Sequence, residues 1–118
     1  MSNYVESIEQ LSEEAKNFVR ALSSLKEEVE AVSWYHQRVD STKDGRLKGI
    51  LAHNRDEEIE HACMTLEWLR RNMPGWDEQL RKFLFTEGEI GHHGDEDSST
   101  PALKIGNLKV KDYTGGNI

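Results

Sequence analysis

The sequence carries at residues 47–68 the stretch LKGILAHNRDEEIEHACMTLEW, in which polar residues interrupt a regular apolar spacing. Seven residues recur at alternating steps of four and three: Leu47, Leu51, Asn54, Glu58, His61, Thr65 and Trp68. This spacing predicts one side of an amphipathic helix. A second stripe beside it contains Ile59, Ala62, Leu66, Leu69 and Met73. Because two adjacent stripes indicate a helix covered on more than one side, Glu58 and His61 are predicted to be buried, which is costly for a carboxylate without a partner.

A first long helix is predicted upstream, where residues 1–44 contain neither Pro nor Gly. Nine residues repeat there at steps of four and three: Leu11, Ala15, Phe18, Leu22, Leu25, Val29, Val32, His36 and Val39. Ser7 and Gln10 have the spacing of a capping box and predict the start of this helix. Val39 is its last apolar position, and residues 40–45 read as a turn.

The second long helix is predicted from Arg46 to Asn72, where Pro74-Gly75 ends it, and a short third helix from Trp76 to Phe85. The short loop between the long helices makes them antiparallel neighbours. The predicted fold class is therefore all-α, a two-helix hairpin with a short third helix, at residues 1–87. Residues 88–101 are polar and predict a flexible linker, and residues 102–118 form a tail with a small apolar island, predicted to be disordered at its end.

Composition excludes several classes of function. The chain has 118 residues, 36% of them apolar, and a net charge of −7, which argues against nucleic acid and anionic membranes as partners. Neither a signal peptide nor a membrane-spanning stretch is expected, and the single cysteine, Cys63, allows no disulfide within the chain. A cytoplasmic setting is expected, and so small a core favours association with other copies.

The polar residues suggest a shared metal site. Glu58 and His61 lie three apart, on one helical face, and Glu-x-x-His is the ligand pair of di-iron four-helix bundles. Glu28 of the first helix borders the buried face, and Tyr35 lies two turns further on. A complete di-iron site needs two such pairs and two further carboxylates, so two copies complete both the ligands and a four-helix bundle. A surface Glu beside a packed His remains the simpler alternative, as does a solvated acidic edge for Glu27 and Glu30.

Three segments resemble the encapsulated ferritins: EEVEAVSWYHQRVD at residues 27–40, ILAHNRDEEIEHACMTLEWLRR at residues 50–71, and FTEG at residues 85–88. The resemblance implies a half-ferritin whose dimers form a four-helix bundle and assemble as a ring of five dimers. It implies a ferroxidase that oxidises Fe(II) to Fe(III) with dioxygen, with two iron ions per subunit pair. By position, Glu28, Glu58 and His61 are the implied ligands, with Tyr35 beside them. Metal is implied to enter past Glu27, Glu30 and Trp34.

The tail segment LKIGNLK at residues 103–109 resembles the peptide that docks such proteins to an encapsulin shell. The implied contacts are Leu103, Ile105, Gly106 and Leu108, and the implied role is iron storage inside an encapsulin nanocompartment. A disordered tail with chance apolar residues is the alternative. For the whole chain, the rival functions are a metal-stabilised helical cargo or scaffold without turnover, and a helical adaptor without metal.

Other residues are assigned simpler roles. Cys63 is predicted to be a small buried residue, His36 a packed histidine, and Trp68 and Trp76 packing residues. His53 is predicted to lie on the solvated face. His92 and His93, in the linker, are predicted to bind metal loosely at most.

Overall fold

The computed structural model describes residues 3–91, and within them the fold is helical without a strand. A single 3-10 turn, Ile8–Gln10, precedes three α-helices: α1 at Glu13–Ser41, α2 at Gly45–Asn72 and α3 at Trp76–Phe83. The all-α prediction is confirmed. The predicted linker from residue 92 onward, and the whole predicted tail, lie outside the described residues. No helix of the described part is long and apolar enough to cross a membrane.

The start of α1 differs from the prediction. Ser7 makes no capping hydrogen bond to the backbone, and its hydroxyl instead donates to Glu9 Oε1 at 2.6 Å. Ser12 is the cap, since its Oγ accepts from the Ala15 backbone N–H at 3.0 Å. The capping-box assignment at Ser7 and Gln10 was therefore wrong. Both serines have extended backbone, and they differ in that only the Ser12 side chain accepts a hydrogen bond from a backbone N–H of the helix that follows it.

A short loop joins α1 to α2. Asp44 caps α2 by accepting from the backbone N–H groups of Arg46 and Leu47 at 2.9 and 3.0 Å. The two long helices pack on each other as antiparallel neighbours. Their direction follows from the pairs they form, because His36 meets Arg55 whereas Glu28, earlier in α1, meets Thr65, later in α2. The predicted hairpin is confirmed.

Backbone conformation ends the later helices. Gly75 has φ +101°, a left-handed value that favours glycine, and it separates α2 from α3. Phe85 has φ +59°, and α3 stops at Phe83, two residues before the predicted end. The Thr86 hydroxyl donates to the Phe83 carbonyl at 2.9 Å, which satisfies one carbonyl at the helix end. Apolar spacing does not reveal a residue with left-handed backbone angles. The end that the sequence predicted for α3 was therefore two residues too late.

The chain forms two compact units, the first running through Asp77 and the second beginning at Glu78. Within the described residues, Leu69 is the one fully buried apolar side chain. Trp68 packs edge-on against Phe18, with ring centroids 6.1 Å apart, yet stays 39% exposed. Cys63 is exposed, so its prediction as a buried residue was wrong. A single neighbouring helix covers one face of α2, and Cys63 lies on another.

Charged side chains fasten the end of α2. The Arg70 guanidinium donates to both Glu67 carboxylate oxygens, at 2.7 and 2.8 Å, and also binds Asp77. Arg71 donates to the same Glu67 at 2.6 Å. Hydrogen bonds from Arg70, and next from Arg71, lower the pKa of the Glu67 carboxyl to about 2 from its ordinary value of 4.5. The ionised form is therefore the one that stabilises the fold.

We expect Glu67→Gln to be less stable than the parent chain at neutral pH, with a difference that shrinks in acid. Because the folded pKa is depressed, the stabilisation is fully present above about pH 4.5 and disappears as the pH falls toward 2. Urea unfolding of both proteins at several pH values measures this. Glu60→Gln, an exposed change on the same helix, is the control. A pH-independent difference between the Glu67 variant and the parent would contradict the assignment.

Candidate metal centre

Two predicted ligands lie together on α2. The Glu58 Oε1 and His61 Nδ1 atoms are 3.6 Å apart, as residues three apart on one helix allow. Thr65 follows one turn later on the same side of the helix. A carboxylate and an imidazole are thus presented side by side by a rigid element.

The first helix contributes the third predicted ligand. Glu28 of α1 accepts a hydrogen bond at its Oε1 from the Thr65 hydroxyl, at 3.1 Å. This contact is partly buried and joins residues 37 positions apart in the chain. The structure therefore brings Glu28 next to the stripe of α2 that bears Glu58 and His61. Thr65 is the residue that joins Glu28 of α1 to this side of α2.

The burial predicted for Glu58 and His61 is wrong for the single chain. The Glu58 side chain is 27% exposed and the His61 side chain 49% exposed. The reason is geometric, because α1 covers only part of the circumference of α2. Exposed apolar residues lie along the same open side: Ile50 is 59%, Met64 64% and Trp68 39% exposed. His61 thus lies on an uncovered and partly apolar face, and the less exposed Glu58 lies at the border of that face.

Tyr35 and its neighbours lie nearer than Glu28 to the loop that joins α1 to α2. Tyr35 is half-buried, and the Arg38 guanidinium sits 5.3 Å from its ring centroid. The adjacent His36 is exposed, and its Nδ1 lies 3.3 Å from Arg55 Nη1 of α2. His36 was predicted to be packed; it is instead an exposed histidine that bridges the helices. Arg55, which sequence reasoning passed over, is the partner in that bridge.

The three residues past which metal was predicted to enter are all exposed on α1. Glu27, Glu30 and Trp34 lie within two turns of one another, and Trp34 is 49% exposed. Glu27 follows Lys26 and precedes Glu28, so its side chain points about 100° away from that of Glu28. Glu27, Glu30 and Trp34 are therefore close to Glu28 along the chain, but they lie on a different side of α1.

The donor types suit a metal, whereas one chain holds too few of them together. Carboxylates with an imidazole are ligands for iron, manganese or zinc. Among the described residues, no three His, Cys, Asp or Glu side chains converge closely enough to hold an ion. Glu58 and His61 form a pair, and Glu28 stands beside them through a hydroxyl. The types of donor atom therefore suit a metal ion, whereas a single chain brings too few of these donors together to bind one.

Comparison with known proteins places the chain. Residues 3–87 match the family model described as EncFtn-like. The chain belongs to this family of encapsulated ferritins. An encapsulated ferritin-like protein of Rhodospirillum rubrum is 62% identical over 85 residues, which are 72% of this chain and 61% of that protein.

Two further relatives of this encapsulated ferritin extend the match. A ferritin-like protein of Thermotoga maritima is 56% identical over 108 residues, covering 92% of this chain and 95% of the relative. A crystal structure of a Nitrosomonas europaea protein is 53% identical and superposes with a TM-score of 0.74, covering 77% of this chain and all of that one. The helical hairpin is therefore shared in sequence and in structure.

His53 of this encapsulated ferritin lies on the exposed side of α2. His53 is exposed, and its Nε2 is 3.1 Å from Glu57 Oε2, as the predicted solvated face requires. His92 and His93 lie outside the described residues. Trp76 is half-buried, and its indole N–H donates to the Met73 sulfur at 3.3 Å. These residues read as surface and packing positions.

Proposed function

We propose that this encapsulated ferritin is a ferroxidase whose di-iron centre forms only between two copies of the chain. The observation that carries the proposal is the placement of the Glu58–His61 pair at the border of an uncovered face of the hairpin, with Glu28 held near it through Thr65. Membership of the family supports an iron-related role. The iron ions are the substrate, and the protein supplies the ligands.

The stoichiometry supports pairing. A di-iron four-helix bundle needs a Glu from each of two helices and a Glu-x-x-His from each of the other two. One chain provides two long helices, one Glu-x-x-His in α2 and one further carboxylate in α1. Two copies supply the complete set, which amounts to two iron ions per pair.

The apolar surroundings support it as well. Four residues lie along one side of α2, at successive spacings of eleven, three and four residues: Ile50, His61, Met64 and Trp68. Removing their exposed apolar surface from water contributes a favourable term of about 25 cal/mol per Å², which is offset in part by the entropy lost on association. The same covering removes water from Glu58 and His61, so these residues then hold a cation in a low-dielectric site. Pairing would thus bury Glu58 and His61, which a single chain leaves partly exposed.

The residues have distinct roles in the proposed reaction. Glu28 and Glu58 bind Fe(II) through carboxylate oxygens and balance the extra charge when Fe(III) forms, and His61 binds through a ring nitrogen. Two Fe(II) ions held close together pass their electrons to dioxygen. Tyr35, two turns further along α1 than Glu28, is proposed to offer a hydroxyl to the centre. Glu27, Glu30 and Trp34 form the exposed group past which cations approach, helped by the net charge of −7.

The protein is further proposed to act as cargo of an encapsulin shell for iron storage, assembled as a ring of five dimers. The docking contacts are Leu103, Ile105, Gly106 and Leu108 of the tail, whose apolar side chains suit pockets on a partner surface. The Thermotoga maritima alignment supports a shared tail, because its 108 residues exceed residues 1–91 and so reach into it.

The test is an anaerobic Fe(II) titration of the full chain, followed by air, with oxidation followed by absorbance and assembly state by native mass spectrometry. We expect saturation near one iron per chain and fast oxidation only in the associated form. Metal binding without oxidation above the buffer blank would instead leave a metal-stabilised cargo or scaffold. Association without metal uptake would leave a helical adaptor.

Disrupting the open face should disrupt the activity. We expect Met64→Glu to weaken pairing and to abolish most Fe(II) oxidation. The helical circular dichroism spectrum should be unchanged, because Met64 is 64% exposed in one chain. Met64 is not itself one of the predicted metal ligands. Light scattering and oxidation assays measure both effects. Val5→Glu, at a residue that is 94% exposed and outside the helices, is the matched control. Unchanged oxidation by a Met64→Glu monomer would refute the shared centre.

A further inference from the structure

We infer that Thr65 is the positioning residue of the centre, whose hydroxyl fixes the Glu28 carboxylate so that its other oxygen is left for the metal. The inference rests on the proposed function. Thr65 follows Glu58 by seven residues and His61 by four, so all three lie on one side of α2. It is the point at which this side of α2 contacts the ligand from α1.

The direction of the hydrogen bond is fixed by chemistry. An ionised carboxylate can only accept, so the proton between Thr65 Oγ1 and Glu28 Oε1 belongs to the hydroxyl. A threonine within a helix commonly gives that proton to the carbonyl four residues earlier, which here is the carbonyl of His61. Thr65 gives it to Glu28 instead. The hydroxyl has one proton, so holding Glu28 is its use in this structure.

A neutral donor suits a carboxylate that must bind a cation. Among the described residues Glu28 takes part in no ion pair. Arg20, eight residues before Glu28 on α1, donates from its guanidinium to Asn17 Oδ1 at 2.6 Å and lies 3.9 Å from Glu13. A Lys or Arg in place of Thr65 would neutralise Glu28 and compete with Fe(II). A hydroxyl orients the carboxylate and leaves its charge available.

Thr65→Val tests the role, because valine keeps the branched shape and removes only the hydroxyl. Loss of a hydrogen bond that orients a metal ligand typically lowers metal affinity or activity by about 10- to 100-fold. We therefore expect Thr65→Val to weaken metal binding by about 10-fold or more and to raise the KM for Fe(II) more than it lowers kcat. Thr65→Ser, which retains the hydroxyl, should restore both. Co(II) is the probe for binding, since its visible absorption reports the ligand geometry without turnover.

The outcomes separate this inference from the proposed function. If the parent chain binds two metals per pair and Thr65→Val binds them with unchanged affinity and spectrum, the positioning role is wrong and the ferroxidase centre stands. If Thr65→Val and Thr65→Ser are equally impaired, packing rather than the hydroxyl is responsible, and the inference fails. If the parent chain binds no Co(II) or Fe(II), the proposed function fails and the inference with it. Native mass spectrometry of each variant checks that pairing is intact.

Discussion

Replacing Glu58 by glutamine is expected to lower the rate of Fe(II) oxidation by more than about 100-fold. The change keeps the shape of the side chain and removes the charge that binds the cation. Changes to groups that merely orient a ligand already cost about 10- to 100-fold, so removal of a ligand should cost more. In the proposed pair each chain contributes one Glu58, so one substitution would alter both halves of the proposed centre.

The matched control is Glu60→Gln on the same helix. Glu60 is exposed and lies two residues from Glu58, about 200° around the helix, so the charge change is the same and the face is different. Oxidation by both variants is measured at equal protein concentration, with assembly checked by light scattering. A Glu58→Gln pair that binds and oxidises Fe(II) at the parent rate would remove Glu58 from the centre, and His61→Ala would then decide whether α2 contributes at all.

Replacing Leu69 by alanine should cost about 2 to 5 kcal/mol of unfolding free energy, the usual range for a buried leucine. Leu69 is 0% exposed and is the fully buried apolar side chain of the described residues. Typical domains have an unfolding free energy of about 5 to 15 kcal/mol. Because the core of the single chain is small, this loss would be a large part of its stability. Urea unfolding followed by circular dichroism measures it.

Leu84→Ala is the control for Leu69→Ala, since Leu84 is 41% exposed and should cost well under half as much. Unfolding is measured at several protein concentrations, because association stabilises the folded chain by mass action. Equal losses for the two variants at every concentration would mean that burial in the single chain does not determine stability here. A larger loss for Leu84→Ala would place the main apolar contacts in the assembly.

Pairing links these two expectations. The isolated hairpin exposes Ile50, Met64 and Trp68 on the side that bears His61, and one neighbouring helix cannot cover that side. Association would add a second core to the small one around Leu69 and would exclude water from the ligands. Stability and metal binding are then expected to rise together with protein concentration.

Local features of the fold were predictable because they depend on neighbours in the chain. The spacing at residues 47–68 predicted α2 to within one residue at its start, and Pro74-Gly75 located its end. The helix caps were less predictable. Ser12 and not Ser7 caps α1, and α3 ends at Phe83 because of the left-handed Phe85. The first depends on a side-chain hydrogen bond and the second on a backbone angle, and apolar periodicity encodes neither.

The sequence by itself determined the all-α fold, the antiparallel hairpin and the choice of Glu28, Glu58 and His61 as candidate ligands, because periodicity and residue type are properties of the chain. Only the tertiary structure decided how these residues are exposed and what joins them. In one chain the His61 side chain stays 49% exposed and the Glu58 side chain 27% exposed, because a single helix covers one face of its neighbour. Thr65 connects α2 to Glu28 because antiparallel packing brings residues 37 positions apart within 3.1 Å. Burial and contact across helices are set by the packing of elements, which no local pattern specifies.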